Sequence, residues 1–237
     1  MQIRREVDAS VVLVHEAWED GSSWMEVIAL LQAARCRVAA VQLPLAGLAG
    51  DLAALQRALD RAHGPVVLVG HGWGGTVVSA TSAGDRVAGL VYLAAYAPQP
   101  GQSTRDLCAS APKPDYSDIL EADAGGYLWF PPSLVPAWIA QDLPAPNAQA
   151  FAATQRPIHR TAFDDRSLVA AWRGKPTWYL MTTRDRVVVP QLQRTMAARI
   201  GARLHRVQAS HAAQLSCPKE VAAVILEAIA ATLTRSN

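Results

Sequence analysis

Along almost the whole chain, short runs of β-branched residues alternate with longer segments of helical periodicity, and this strand-then-helix order restricts the fold more than any other feature. Strands are expected at Val11–Val14, Arg37–Val41, Pro65–Val69, Val87–Leu93, Thr177–Met181 and Arg203–Val207. Helices are expected at Trp24–Ala34, Asp51–Ala62, Trp73–Ala83, Pro190–Ile200 and Pro218–Leu233. Pro190 and Pro218 suit the first helical position, where a missing N–H costs no hydrogen bond. Parallel strands need a long crossover and a helix supplies it, so the pattern predicts an α/β fold with a mainly parallel six-stranded sheet flanked by helices.

One stretch breaks the rhythm. From about Gln99 to Trp172 no strand pattern is seen, and Pro, aromatic residues and short helical pieces such as Ser133–Gln141 and Asn147–Thr154 take over. A structureless loop of that length does not belong in a compact domain. Residues 99–172 are therefore expected to form a helical cap inserted into a core made by 1–98 and 173–237, covering the crevice at the carboxyl ends of the strands.

Composition narrows the function classes. With 51% apolar and 18% charged residues in 237, the chain can bury one sizeable core, and no linker, charge block or repeat divides it. The net charge of +2 is scattered, which argues against a nucleic-acid surface. The charged start MQIRREVDAS is unlike a signal peptide, and the apolar stretch Val87–Pro98 is far short of the ~20 residues a membrane helix needs. Cys36, Cys108 and Cys217 are odd in number and lack metal or redox spacing, so a reduced, cytoplasmic protein is expected. A small-molecule substrate, no nucleic acid and no membrane are the expected partners, and a homodimer stays open.

The segment VVLVGHGWGGTVVSA joins a strand to a helix through Gly70-His71-Gly72-Trp73-Gly74-Gly75. Its literal G-x-G-x-x-G could be a dinucleotide turn, but the next strand ends in Ala94-Ala95-Tyr96, with no acidic residue to hold a ribose. The better reading is a nucleophile elbow, G-x-S-x-G, with glycine at the central position. Such an elbow requires an acid and then a histidine, each after a later strand. Asp185 in TTRDRVVVP and His211 in ASHAAQLSCP satisfy that order.

With these residues in view, the chain resembles the small α/β-hydrolase branch that includes plant methylesterases, hydroxynitrile lyases and bacterial esterases of the pyrethroid-hydrolase type. The likeness runs nearly end to end: VVLVH…GSSW, the elbow, LVYLAAYAP, FPPSLVPAWIAQDLP, TWYLMTTRDRVVVP and SHAAQLSCPKEVAAVI all match. Such relatives usually read His-Gly-Ala after the first strand and Gly-His-Ser-Tyr-Gly-Gly at the elbow. Here the first is His15-Glu16-Ala17 and the second has Gly72 and Trp73. The resemblance implies an α/β-hydrolase fold whose departures cluster at the reaction centre.

Glycine cannot attack an acyl carbon, so Gly72 marks a vacated nucleophile position. Asp185 is expected to orient His211, which remains a competent general base. The resemblance makes the N–H groups of Ala17 and Trp73 an oxyanion hole and puts the hydroxynitrile lyases' catalytic threonine at Glu16, whose carboxylate would repel an oxyanion unless the chemistry differs or the group is protonated. Beneath an apolar cap Glu16 is expected to lean toward its neutral form; the bland alternative turns it outward with Glu19 and Asp20. A metal site from His15, Glu16, Glu19 and Asp20 fits no ligand spacing, and no metal or cofactor is expected. Trp18, Trp129, Phe130, Tyr127 and His159 are candidates to line an apolar substrate pocket.

The function expected is cofactor-free acid/base chemistry by Glu16 and His211 on a small, largely apolar carbonyl compound: elimination, decarboxylation, cyclisation or isomerisation. One rival is an ester hydrolase whose serine was removed by mutation. Others are a cofactor-free dioxygenase working with the His-Asp dyad alone, and a ligand receptor.

Overall fold

The computed structural model describes residues 9–82, 84–111 and 118–234. Six strands, β1 (Ser10–Val14), β2 (Arg37–Ala40), β3 (Val66–His71), β4 (Val87–Leu93), β8 (Thr177–Thr182) and β9 (Arg203–Val207), form one sheet in the order β2-β1-β3-β4-β8-β9. Every neighbouring pair runs parallel. The flanking helices are α1 (Met25–Ala33), α2 (Leu48–Arg61), α3 (Trp73–Ser79), α7 (Pro190–Arg199), the short α8 (Ala213–Ser216) and α9 (Pro218–Leu233). Apart from α8, the order and type of these elements are those the sequence predicts. Among the described residues no helix is long and apolar enough to cross a membrane.

Alternation along the strands divides the core in two. Val12 and Val14 of β1 face a cluster with Leu55 and Leu59 of α2, Val77 of α3 and Met196 of α7. Val11 and Leu13 face the opposite cluster, with Leu31 of α1 and Ile225 of α9. β1 is therefore buried on both faces, which is why it reads as an unbroken apolar run. Full burial of each such Val or Leu side chain is worth roughly 1.5–3 kcal/mol. The consequence for function is a stiff central β1–β3–β4 unit whose carboxyl-terminal loops project from one edge.

Several boundaries differ from the sequence expectation. Helix α2 starts at Leu48 rather than Asp51, α3 stops at Ser79 instead of continuing to Ala83, and α1 is preceded by a 3₁₀ turn at Gly21–Trp24. The segment between β4 and β8 differs more. It does hold helices, α4 (Thr104–Ala109), α5 (Val135–Trp138) and α6 (Ala145–Ala153), but it also folds a small antiparallel sheet of β5 (Glu121–Ala122), β6 (Tyr127–Trp129) and β7 (Ile158–His159). The expectation of an all-helical insertion with no strand is thus corrected. Strands of two or three residues are too short to leave a period-two signal in a sequence.

Candidate active site

The loop after β1 is bolted in place by His15. Fully buried, its ring makes two contacts: Nδ1 lies 2.7 Å from the Glu16 carbonyl, and Nε2 accepts from the Leu43 N–H at 3.0 Å. One nitrogen donates and the other accepts, which is a neutral imidazole. Burial, opposed by the bond to the Glu16 carbonyl, lowers its pKa in keeping with that form. Three residues on, Trp18 sits at φ +60°, a left-handed conformation unusual for a bulky residue. Its indole N–H donates to the Leu128 carbonyl of β6 at 3.0 Å, tying the loop to the insertion.

Between β3 and α3 the chain reverses at Gly72, with φ +49° and ψ −114°. A Cβ built there would fall on the Glu16 carboxylate, overlapping Oε2 and lying 2.9 Å from Cγ. The Glu16 side chain therefore fills the space that a side chain on residue 72 would need. Its carboxylate is 2% exposed at the residue level and is gripped by backbone: Oε1 accepts from the Ala17 N–H at 2.6 Å and Oε2 from the Trp73 N–H at 2.8 Å. The two expected oxyanion-hole donors do converge, but on this protein's own carboxylate. The same geometry corrects the outward-facing alternative for Glu16. It also corrects the expectation of an acid in an apolar setting, since both oxygens meet donors complementary to a carboxylate anion.

Trp73 is itself held from below. Its indole N–H donates to Asp51 Oδ2 at 2.7 Å, and Asp51 Oδ1 accepts from the Leu45 N–H at 2.8 Å. Burial raises the Asp51 pKa, against these hydrogen bonds. Asp51 was not among the sequence candidates. An acidic residue in the first turn of a helix reads as a helix-dipole charge, and nothing in its spacing announces a partner 22 positions away.

His211 lies between two carboxylates. Nδ1 is 2.8 Å from Asp185 Oδ2 and Nε2 is 3.1 Å from Glu16 Oε2, so both nitrogens serve as donors. Burial, the largest single influence, disfavours the charged ring, but attraction to Asp185 and Glu16 outweighs it and holds the pKa up to about 10. Asp185 is fixed in turn by the Val187 and Val188 N–H groups on Oδ1 at 2.8 and 2.9 Å, and by the Thr182 hydroxyl and Gln193 amide on Oδ2 at 2.7 and 2.9 Å. Gln193 and Thr182 are supports that the sequence reading did not identify.

A second buried pair stands behind this one. His71 Nδ1 lies 3.3 Å from Glu19, and its Nε2 is 3.0 Å from the His211 carbonyl; the two imidazoles are 4.5 Å apart. Glu19 is 3% exposed and also accepts from Gln214, so it is not the solvated loop residue of the outward-facing alternative. Burial works to raise its pKa, yet the His71 ring and its hydrogen bond leave it lowered overall. Glu16, His71 and His211 bring donor atoms within 4.8 Å of one another. A cation could be held there only by giving up the contacts just described.

The aromatic candidates do not form one pocket. Trp18 and Phe130 are buried and pack edge to face at 5.6 Å, but Trp129 is 39% exposed and reaches Asp123. Tyr127 packs on His159, whose nitrogens are used by Thr161 and the Gly125 carbonyl. The physical reason is strand alternation: Leu128 turns toward the core, which sends its neighbours Tyr127 and Trp129 to the other face. A cleft of about 340 Å³ instead opens between the start of α1 and α6, lined by Glu19, Met25, Leu143, Phe151 and Leu215 among others.

The alpha/beta hydrolase family model matches residues 11–224. A carbendazim hydrolyzing esterase from Nocardioides sp. (strain SG-4G) is 34% identical over 125 residues, covering 46% of this chain and 51% of that protein, so the match spans about half the relative's length. Among solved structures, a pyrethroid hydrolase from Sphingobium faniae JZ-2 superposes with a TM-score of 0.81 at 23% identity, over 94% of this chain and 98% of that one. A methylesterase from Arabidopsis does so at 0.79 and 22%, over 94% and 99%. A tomato methylketone synthase I variant complexed with beta-ketoheptanoate does so at 0.83 and 16%, over 95% and 99%. At these identities the structural likeness speaks to the fold alone.

Proposed function

Since the chain belongs to the alpha/beta hydrolase family, we propose that it is a cofactor-free enzyme in which Glu16 has taken over the place of the elbow nucleophile. In this reading Gly72 is a vacated serine position, Glu16 and His211 are the proton-transferring groups and Asp185 positions His211. The observation that carries it is the seat of the Glu16 carboxylate: on the site of a residue-72 side chain, between the Ala17 and Trp73 N–H groups and 3.1 Å from His211 Nε2. A buried carboxylate and imidazole at hydrogen-bond distance can pass a proton to and from a substrate that enters between them, a contribution of about 10²–10⁴ in rate.

The substrate class proposed is a small, largely apolar carbonyl compound undergoing elimination, decarboxylation, cyclisation or isomerisation. A β-keto acid is a fitting member, because loss of its carboxylate leaves an enolate that needs only a proton. For such a substrate to borrow the two backbone N–H groups, Glu16 must release them as it takes the proton. The rival of an ester hydrolase stripped of its serine is disfavoured by the same overlap: a serine placed at residue 72 would meet Glu16, so one substitution does not restore a working elbow.

The test is direct. A fluorophosphonate that labels activated serines should leave the protein unmodified, and stoichiometric labelling of any serine would overturn the reading. With a compound the intact protein consumes, Glu16→Gln and His211→Ala should each depress turnover far more than binding. Full activity of Glu16→Gln would make Glu16 a bystander and favour the dyad-only dioxygenase or receptor readings.

A further inference from the structure

The chemistry assigned to the site uses Glu16, His211 and Asp185 and leaves a second buried histidine, His71, without a task. Glu16, His71 and His211 each bring a donor atom within 4.8 Å of the other two, and all three residues are buried. Two imidazoles and one carboxylate are a donor set that suits Zn²⁺, with a fourth position left for water. We propose that Glu16, His71 and His211 form a zinc-binding site whose occupation silences the proton-transferring pair.

Three observations carry this. The first is spacing. A tetrahedral site with bonds of about 2.0 Å sets its ligand atoms about 3.3 Å apart, and His211 Nε2 already lies 3.1 Å from Glu16 Oε2. The ion takes the place of the proton between them, and His71 closes in as the third ligand. The second is anchoring. A metal-bound histidine keeps its orientation through its other ring nitrogen, which donates to a carboxylate or a backbone carbonyl. Asp185 Oδ2 holds His211 Nδ1 in this way at 2.8 Å. His71 has an oxygen at each nitrogen, Glu19 Oε2 at 3.3 Å from Nδ1 and the His211 carbonyl at 3.0 Å from Nε2, so whichever nitrogen meets the metal, the other stays anchored. Glu16 is steadied through Oε1 by the Ala17 N–H at 2.6 Å while Oε2 turns to the ion.

The third is a route. The cleft between the start of α1 and α6 reaches Glu19, and its lining includes Glu19, Asp20 and Glu26 with no lysine or arginine. A mouth lined by one sign of charge concentrates the opposite ion, here a cation, beside His71. The exchange also balances. Both rings face oxygens with both nitrogens, so binding releases one proton from each imidazole to solvent, and one divalent ion replaces two single positive charges. The buried charge is unchanged. Once coordinated, Glu16 Oε2 and His211 Nε2 are held on the metal and no longer pass a proton. The silencing rests on the proposal that these two groups are the proton carriers; the binding does not.

The experiment titrates the intact, metal-stripped protein with Zn²⁺ by calorimetry. One ion should bind per chain. Asp185→Asn, which removes an outer partner, should weaken it by about 10–100-fold, His71→Gln should weaken it further, and His159→Gln, on the small sheet, should leave it unchanged. X-ray absorption on the zinc-loaded intact protein needs no variant: it should show nitrogen and oxygen neighbours at about 2.0–2.1 Å, two of them imidazole. No bound ion, sulfur neighbours, a single imidazole, or an affinity indifferent to His71→Gln would overturn the site. With a compound the protein consumes, turnover should fall in proportion to zinc occupancy, and full turnover by the zinc-loaded protein would overturn the silencing. The two readings fail separately, because zinc binding needs no substrate and the proton-transfer role is judged by Glu16→Gln in the metal-free protein.

Discussion

The two halves of the site are built differently. In the Asp185–His211 half, the acid is held by side chains and backbone of a single neighbourhood, the β8–α7 region, where Thr182, Gln193, Val187 and Val188 all bond Asp185. The Glu16–Gly72 half is assembled across the sheet: a side chain from the loop after β1 enters a space left at the turn after β3, and one N–H from each loop holds it. The first half has the acid and histidine that the sequence resemblance implies, and the second pairs two residues, Glu16 and Gly72, that fit each other in space. On the proposed function, the contrast means that reactive chemistry has been relocated to Glu16 while the device that orients the histidine stays put.

The largest effect expected is on turnover. Glu16→Gln retains shape and burial but removes the carboxylate, and with the true substrate it should lower turnover by about 10²–10⁴ while binding changes little. His211→Ala should do at least as much, and Asp185→Asn less, since it misorients a base that is still present. Equal and small effects in both halves would break the contrast.

Stability against pH sharpens it next. His211 titrates near 6.5 when unfolded and about 10 when folded. A folded value above the unfolded one gives a contribution that is complete below about 6.5 and lost as pH rises through about 10. Thermal melts should therefore show stability falling across that window, with the fall abolished in His211→Gln and reduced in Glu16→Gln, because both halves supply the attraction. A slope untouched by Glu16→Gln would mean that Asp185 alone sets the histidine's charge.

The smallest effect expected is a control outside both halves. Trp129 lies at the surface of the small sheet, so Trp129→Ala should change stability by no more than about 0.5 kcal/mol and leave turnover unaltered. A marked loss of activity would restore it to the substrate pocket.

How much of this could be read from the sequence follows from the same contrast. The parallel sheet was legible because strands buried on both faces leave apolar runs, and Asp185 and His211 because each follows such a run. Glu16 stood out only as a departure from its relatives, and its contact with His211 spans 195 positions, beyond any local pattern. Glu19 and Asp51 look like ordinary loop and helix-start acids until packing supplies His71 and Trp73. The pocket assignment failed at Tyr127 and Trp129 because a three-residue strand does not reveal which face each side chain takes.

The central claim is that Glu16 and Gly72 share one space, and a double-mutant cycle on stability tests it most directly. Gly72→Ala brings two costs: strain at φ +49°, which is the same in any background, and overlap with the Glu16 carboxylate, which is not. At φ +49° and ψ −114° a non-glycine residue is strained by about 1–3 kcal/mol. With Glu16 present the substitution should cost more than that by a coupling of at least about 1 kcal/mol, and in a Glu16→Gly background the excess should vanish. An equal cost of Gly72→Ala in the two backgrounds would show that the carboxylate does not occupy the elbow.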